Sequence, residues 1–166
     1  MYLGIKLLLL SFNIKNELLL LRLRPNTPIF FYDFCNGIAQ LEKYNFTYDL
    51  LILPIHLPFA VNFVKRFPKQ NFVIDHLAKP NFKANDFSEW ERGISELALH
   101  KNVYCKVSGM VTEADWKNWK AADFNYCLDV LVSNFGIDRL MFGSDWPVSL
   151  LAASYEESTA IVKNYF

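Results

Sequence analysis

From residue 33 onward the apolar positions of this chain alternate between two spacings. Short continuous runs, Tyr48 to Ile55, Phe72 to Ile74, Val103 to Val107 and Arg139 to Phe142, read as buried strands. Between them apolar residues recur three and four apart, the spacing of a helix with one buried face. Asp33 is placed to cap a first helix carrying Phe34, Ile38 and Leu41. Pro58 fits the first turn of a second, whose stripe is Ala60, Val61, Val64 and Phe67 and which Pro68 stops. Ser88 and Glu91 have the spacing of a capping box and open a helix that buries Trp90, Ile94, Leu97 and Ala98. Thr112 is placed to cap a short helix. The strongest period follows Asp123, where Phe124, Cys127, Leu128, Leu131, Val132 and Phe135 share one face and Gly136 ends it. A second capping box, Ser154 with Glu157, opens a helix that runs to Phe166.

Strands and helices thus alternate, which predicts parallel βαβ units and an α/β fold. No Gly-x-Gly-x-x-Gly or Gly-x-x-x-x-Gly-Lys stands at a strand end, so a nucleotide-binding sheet loses its main support. A (β/α)8 barrel needs about 250 residues. The four strands read here make a partial (β/α)8 barrel, its second half, occupying residues 31–166. Residues 1–30 are Leu-rich without a clean period and form a poorly specified N-terminal segment. Their apolar start, Met1 to Phe12, resembles a signal-peptide core but lacks a small-residue cleavage site. It is also shorter than the roughly 20 residues a membrane span requires.

Composition narrows the functional classes. The 166 residues include 17 basic and 17 acidic side chains and are 52% hydrophobic, which excludes a disordered chain. A neutral chain without a basic stripe does not favour nucleic acid as a partner; a small-molecule substrate is expected. Cys35, Cys105 and Cys127 are scattered among apolar neighbours and form no Cys-x-x-Cys pair. Such thiols suit a reducing compartment, and a cytoplasmic location is expected.

In parallel α/β folds, binding and catalytic groups gather at the carboxyl ends of strands. Asp145 stands just past the last strand, in Gly143-Ser144-Asp145-Trp146-Pro147, and His76 just past Phe72 to Ile74. A carboxylate there can be a turn residue accepting backbone amides, a general base towards water, or a metal ligand. An imidazole can orient substrate, polarise a carbonyl or bind metal. Asp75 alternates away from His76 and reads as a supporting residue. His56 follows another strand and is a substrate-binding candidate beside its plainer reading as a helix-start histidine; Trp146 either lines the pocket or packs. Lys106, inside an apolar strand, calls for a carboxylate partner or an escape to solvent. His100, at a helix end, is given no chemistry. A catalytic zinc usually takes three protein ligands. With His56, His76 and His100 the only histidines, a self-contained site requires His56, His76 and Asp145 together.

Three segments, Phe72-Val-Ile-Asp-His-Leu-Ala-Lys-Pro80, Asn102-Val-Tyr-Cys-Lys-Val-Ser-Gly109 and Phe135-Gly-Ile-Asp-Arg-Leu-Met-Phe-Gly-Ser-Asp-Trp-Pro-Val148, resemble the amidohydrolase-related TIM-barrel hydrolases. The resemblance covers residues 33 to 163 and points to the sugar-lactonase branch. It implies hydrolysis of a lactone or similar cyclic ester. His76 then corresponds to the family's active-site histidine, and Asp145 to the last-strand aspartate that takes a proton from the attacking water. Family members differ in their need for a divalent metal such as zinc, for which His76 and Asp145 are the candidate ligands. The family's His-x-His motif of the first strand is missing from this sequence, as is its closing C-terminal segment. The chain therefore also reads as a truncated, inactive fragment or interaction module, whose open sheet edges invite self-association.

Overall fold

A computed structural model describes residues 28–166. The expectations for residues 1–27 lie outside the described residues. Helix α1 spans Pro28–Lys43, so Asp33 stands inside it and not at its cap, and the domain boundary expected at residue 30 falls within this helix. Four strands follow, β1 Tyr48–Leu50, β2 Phe72–Ile74, β3 Val103–Val107 and β4 Leu140–Phe142. They form one sheet in the order β1-β2-β3-β4, every neighbouring pair parallel. Connecting them are α2 Leu57–Lys65, α3 Ser88–Ala98, the short α4 Met110–Glu113 and α5 Asn125–Phe135. The last helix, α6, spans Tyr155–Tyr165. This is the alternating parallel architecture of a partial (β/α)8 barrel.

The run Tyr48 to Ile55 yields only a three-residue strand, because Pro54 opens a 3-10 turn, Pro54–His56, that leads directly into α2. The capping box expected at Ser88 does not form. Ser88 instead donates its amide (3.1 Å) and its hydroxyl (2.8 Å) to Oδ1 of Asp86, and Glu91 accepts from the Tyr126 hydroxyl. Asp123 supports a 3-10 turn before α5 by accepting the Lys120 amide. At α6 both capping bonds are present: Glu157 N–H donates to Ser154 Oγ and Ser154 N–H to Glu157 Oε2.

Alternation along the strands separates two faces. Phe72, Ile74, Val103, Cys105 and Val107 point into the helical layer and are buried; Asp49, Tyr104 and Lys106 stand on the other, concave face. Both edge strands lack a partner among the described residues, and they expose apolar side chains: Leu51 just past β1 is 54% exposed and Phe142 on β4 is 52%. All three cysteines are buried free thiols. No helix among the described residues is long and apolar enough to cross a membrane.

Arg139 welds the carboxyl end of α5 to the neighbouring unit. Its guanidinium donates to the carbonyls of Asn134 and Phe135, and to those of Ala98, His100 and Val103, at 2.9–3.2 Å. A planar cation is well matched to helix-end carbonyls, which carry partial negative charge. Replacing Arg139 with Ala strands several of them and is expected to lower unfolding free energy by about 2–3 kcal/mol in urea titrations. Arg139→Lys should recover less than half of that, since a point cation cannot serve the spread of acceptors.

Candidate active site

The carboxyl ends of β2, β3 and β4 open on one side of the sheet and bring three loops together. After β2 the chain turns through His76, Leu77, Ala78 and Lys79, all at positive φ between 50° and 56°. A left-handed backbone costs an L-residue roughly 1–2 kcal/mol, so four in succession require strong external restraint. Leu77 and Ala78 are fully buried, and the Trp90 indole donates to the Leu77 carbonyl. At the exit, Lys79 pairs with Glu113 at 2.5 Å. At the entrance, buried Asp75 pairs with Lys106, whose ammonium is also 3.5 Å from Asp49. Ile74 opposes Cys105, so the next residues on each strand, Asp75 and Lys106, emerge on the same face. Burial alone would lower the Lys106 pKa, but the two carboxylates outweigh it and hold the ammonium protonated. Burial raises the Asp49 pKa, with Asp75 adding to the shift.

This turn delivers the His76 imidazole to the mouth of the sheet. Nδ1 lies 2.9 Å from Ser108 Oγ and 3.7 Å from Oδ1 of Asp145. The His76 side chain is 22% exposed and that of Asp145 11%, a carboxylate and an imidazole each held largely out of water. Asp145 is also at positive φ, 58°. Its Oδ2 lies 3.3 Å from the Thr112 hydroxyl, which donates to the Gly109 carbonyl at 2.8 Å. Thr112 thus serves the site as the third residue of α4 and does not cap that helix. Gly109 is needed for two reasons: its φ is +67°, and a Cβ there would stand 2.8 Å from Nδ1 of His76. Burial holds the His76 pKa below the usual histidine range, partly opposed by the charges of Asp145 and Asp75.

The other two candidates are placed differently. His56 is 2% exposed; its Nδ1 accepts the Leu53 amide at 3.1 Å, and its Nε2 is buried without a partner. Burial lowers its pKa. Trp146 follows Asp145 directly and is 62% exposed, its ring open to solvent. The sequence reading stopped at Ser108-Gly109 as a strand end and missed both as site residues. Their position at the carboxyl end of β3 was the available signal.

A metal does not fit the described residues by themselves. No group of three or more His, Cys, Asp and Glu side chains among them could hold an ion, and His76 with Asp145 supplies two donors where a catalytic zinc takes three.

Residues 18–163 match the family model described as an amidohydrolase. The L-fucono-1,5-lactonase of Burkholderia multivorans is 42% identical over 142 residues, covering 80% of this chain and 48% of that enzyme. The L-fucono-1,5-lactonase of Burkholderia ambifaria is 39% identical over 119 residues, covering 72% and 41%. A crystal structure of an amidohydrolase from Burkholderia multivorans with bound zinc superposes at a TM-score of 0.75 with 41% identity, over 80% of this chain and 49% of that one. The chain spans about half the length of the curated relatives it matches.

Gly109→Ala is expected to displace the imidazole, shifting the His76 ring resonances in NMR spectra and lowering stability by about 1–2 kcal/mol through the left-handed backbone alone. A pH dependence follows from His56. Its pKa is depressed in the folded chain, so above the unfolded value of about 6.5 both states are neutral and stability is flat. As pH falls below that value, the unfolded state takes up the proton first and stability drops. The urea midpoint should therefore decline between pH 6.5 and 5, and less steeply in His56→Phe.

Proposed function

From the premise that this chain belongs to the amidohydrolase family, we propose that it hydrolyses the ring ester of a lactone, with Asp145 as general base. The observation that carries this reading is the approach of His76 to Asp145, 3.7 Å apart at the carboxyl ends of different strands. Asp145 takes a proton from water as the water oxygen attacks the lactone carbonyl. The His76 imidazole, whose Nε2 has no hydrogen-bond partner among the described residues, faces the carbonyl oxygen and stabilises its developing negative charge. The ring C–O bond then breaks, and the departing oxygen receives the proton from Asp145. The product is the open hydroxy acid and the carboxylate of Asp145 is restored. Trp146, exposed directly beside Asp145, is placed to meet the substrate, whereas His56 is buried and lies outside the cleft lining. None of these steps is routed through a metal.

The substrate class we favour is a sugar lactone, as the names of the Burkholderia lactonases suggest. A cleft of about 640 Å³ beside the site supports it. Leu53 and Ile55 give it an apolar wall, while Lys79, Asn81, Thr112 and Glu113 offer both donors and acceptors, a lining suited to ring hydroxyls. Thr112 belongs to the cleft and its hydroxyl also lies 3.3 Å from Asp145, which sets the cleft next to the carboxylate.

A second reading, association through the sheet edges, is favoured by exposed Leu51 and Phe142. In sedimentation velocity it predicts concentration-dependent association that Phe142→Lys weakens; a monomer at all concentrations removes it.

The hydrolase reading is tested by following ring opening of L-fucono-1,5-lactone over the buffer rate. Asp145→Asn is expected to reduce that excess by about 10²–10⁴-fold. Equal rates for the variant and the parent chain would take Asp145 out of the mechanism.

A further inference from the structure

We propose that Ser108 is a positioning residue that fixes the tautomer of His76, placing the ring proton on Nε2. Ser108 follows β3 directly and is 3% exposed. Its Oγ lies 2.9 Å from Nδ1 of His76, and no other described residue offers that hydroxyl a hydrogen bond. A hydroxyl carries one proton, and leaving a buried donor unsatisfied is unfavourable. If Ser108 donates to Nδ1, both atoms are satisfied and the neutral ring bears its proton on Nε2. If instead Nδ1–H donated to Oγ, the serine proton would be buried with no acceptor. Asp145 would favour an Nδ1–H ring by accepting that proton, but at 3.7 Å its carboxylate stands beyond hydrogen-bond range.

The same geometry rules out a nucleophilic role for this serine. In a serine triad the nucleophile and the acid face opposite ring nitrogens. Here Ser108 and Asp145 both face Nδ1, and the hydroxyl is shielded from any substrate. Ser108 is itself held from behind: a Cβ at Gly143 would stand 3.1 Å from its own Cβ.

The role of the Nε2 proton at the lactone carbonyl rests on the hydrolase reading above; the tautomer itself does not. With the imidazole neutral and Nε2 a donor, Asp145 is left as the base, and the two side chains divide the chemistry. A zinc ion bound through Nε2 would require the opposite tautomer.

Long-range ¹H–¹⁵N correlation spectra of the ¹⁵N-labelled 166-residue chain at pH 7.5 read the tautomer directly, with His76→Gln assigning the signal. The parent chain is expected to show His76 mainly as the Nε2–H form. Ser108→Ala should reduce the ratio of Nε2–H to Nδ1–H by about five- to tenfold, as expected for loss of one hydrogen bond. Ser108→Thr, which keeps the hydroxyl, should restore it. A parent chain in the Nδ1–H form, or a ratio unchanged in Ser108→Ala, overturns the proposal. In the lactone assay Ser108→Ala should lower kcat with KM nearly unchanged. A tautomer that responds in a chain without turnover would uphold the role of Ser108 and count against the hydrolase reading alone.

Discussion

The site depends on a single turn of left-handed backbone made by ordinary side-chain-bearing residues. His76 to Lys79 would not hold positive φ in isolation, and each would relax to right-handed or extended backbone. Three restraints of different kinds keep them there. Leu77 and Ala78 are sealed in the core, an indole N–H holds the Leu77 carbonyl, and ion pairs pin both ends through Asp75–Lys106 and Lys79–Glu113. The consequence is geometric. A strand that continued straight would send His76 to the face opposite Asp75, whereas the turn lifts the imidazole over the sheet end, where β3 and β4 deliver Ser108 and Asp145.

The carboxylates around the turn are held in different ways. Asp75 is consumed by Lys106 on the concave face. Asp145, in contrast, has among the described residues no cation within salt-bridge distance other than His76, whose pKa burial lowers, and a hydroxyl beside its second oxygen. A carboxylate so placed remains available to a proton from water, and one locked to an ammonium does not. Lys79 is likewise engaged by Glu113, which leaves the cleft with paired charge and hydrogen-bonding groups in place of a net cationic field.

Both edge strands lack a partner among the described residues. A parallel sheet is stable when both faces and both edges are covered. Among the described residues the helix-facing side is covered and nothing packs over the concave side, with Leu51, Met141 and Phe142 exposed on or next to the edge strands. The mouth of the sheet is nonetheless assembled, because its contacts run between adjacent strand ends and not across the barrel.

The alternation of short apolar runs with helical stripes determined the α/β class and the parallel order, since burial of one helix face and one strand face leaves few other solutions. It also marked the ends of β2, β3 and β4, and with them the positions of His76 and Asp145, although the run from Tyr48 to Ile55 outlasts β1. Lys106 was legible as a charge in an apolar strand, paired or reaching solvent; that Asp75 and Asp49 take it was decided by the sheet. Local pattern failed where distant atoms compete for a side chain: Asp86 took the role assigned to Ser88, Thr112 turned to Gly109 and Asp145, and His56 went into the core. The left-handed turn had no sequence signal, since no glycine marks it. Ser108 and Gly109 gained their roles only when parallel pairing set β3 between β2 and β4. Spacing along a chain fixes which face a residue shares with its neighbours, whereas hydrogen bonds between strand ends are fixed by register and backbone sign, which belong to the assembled sheet.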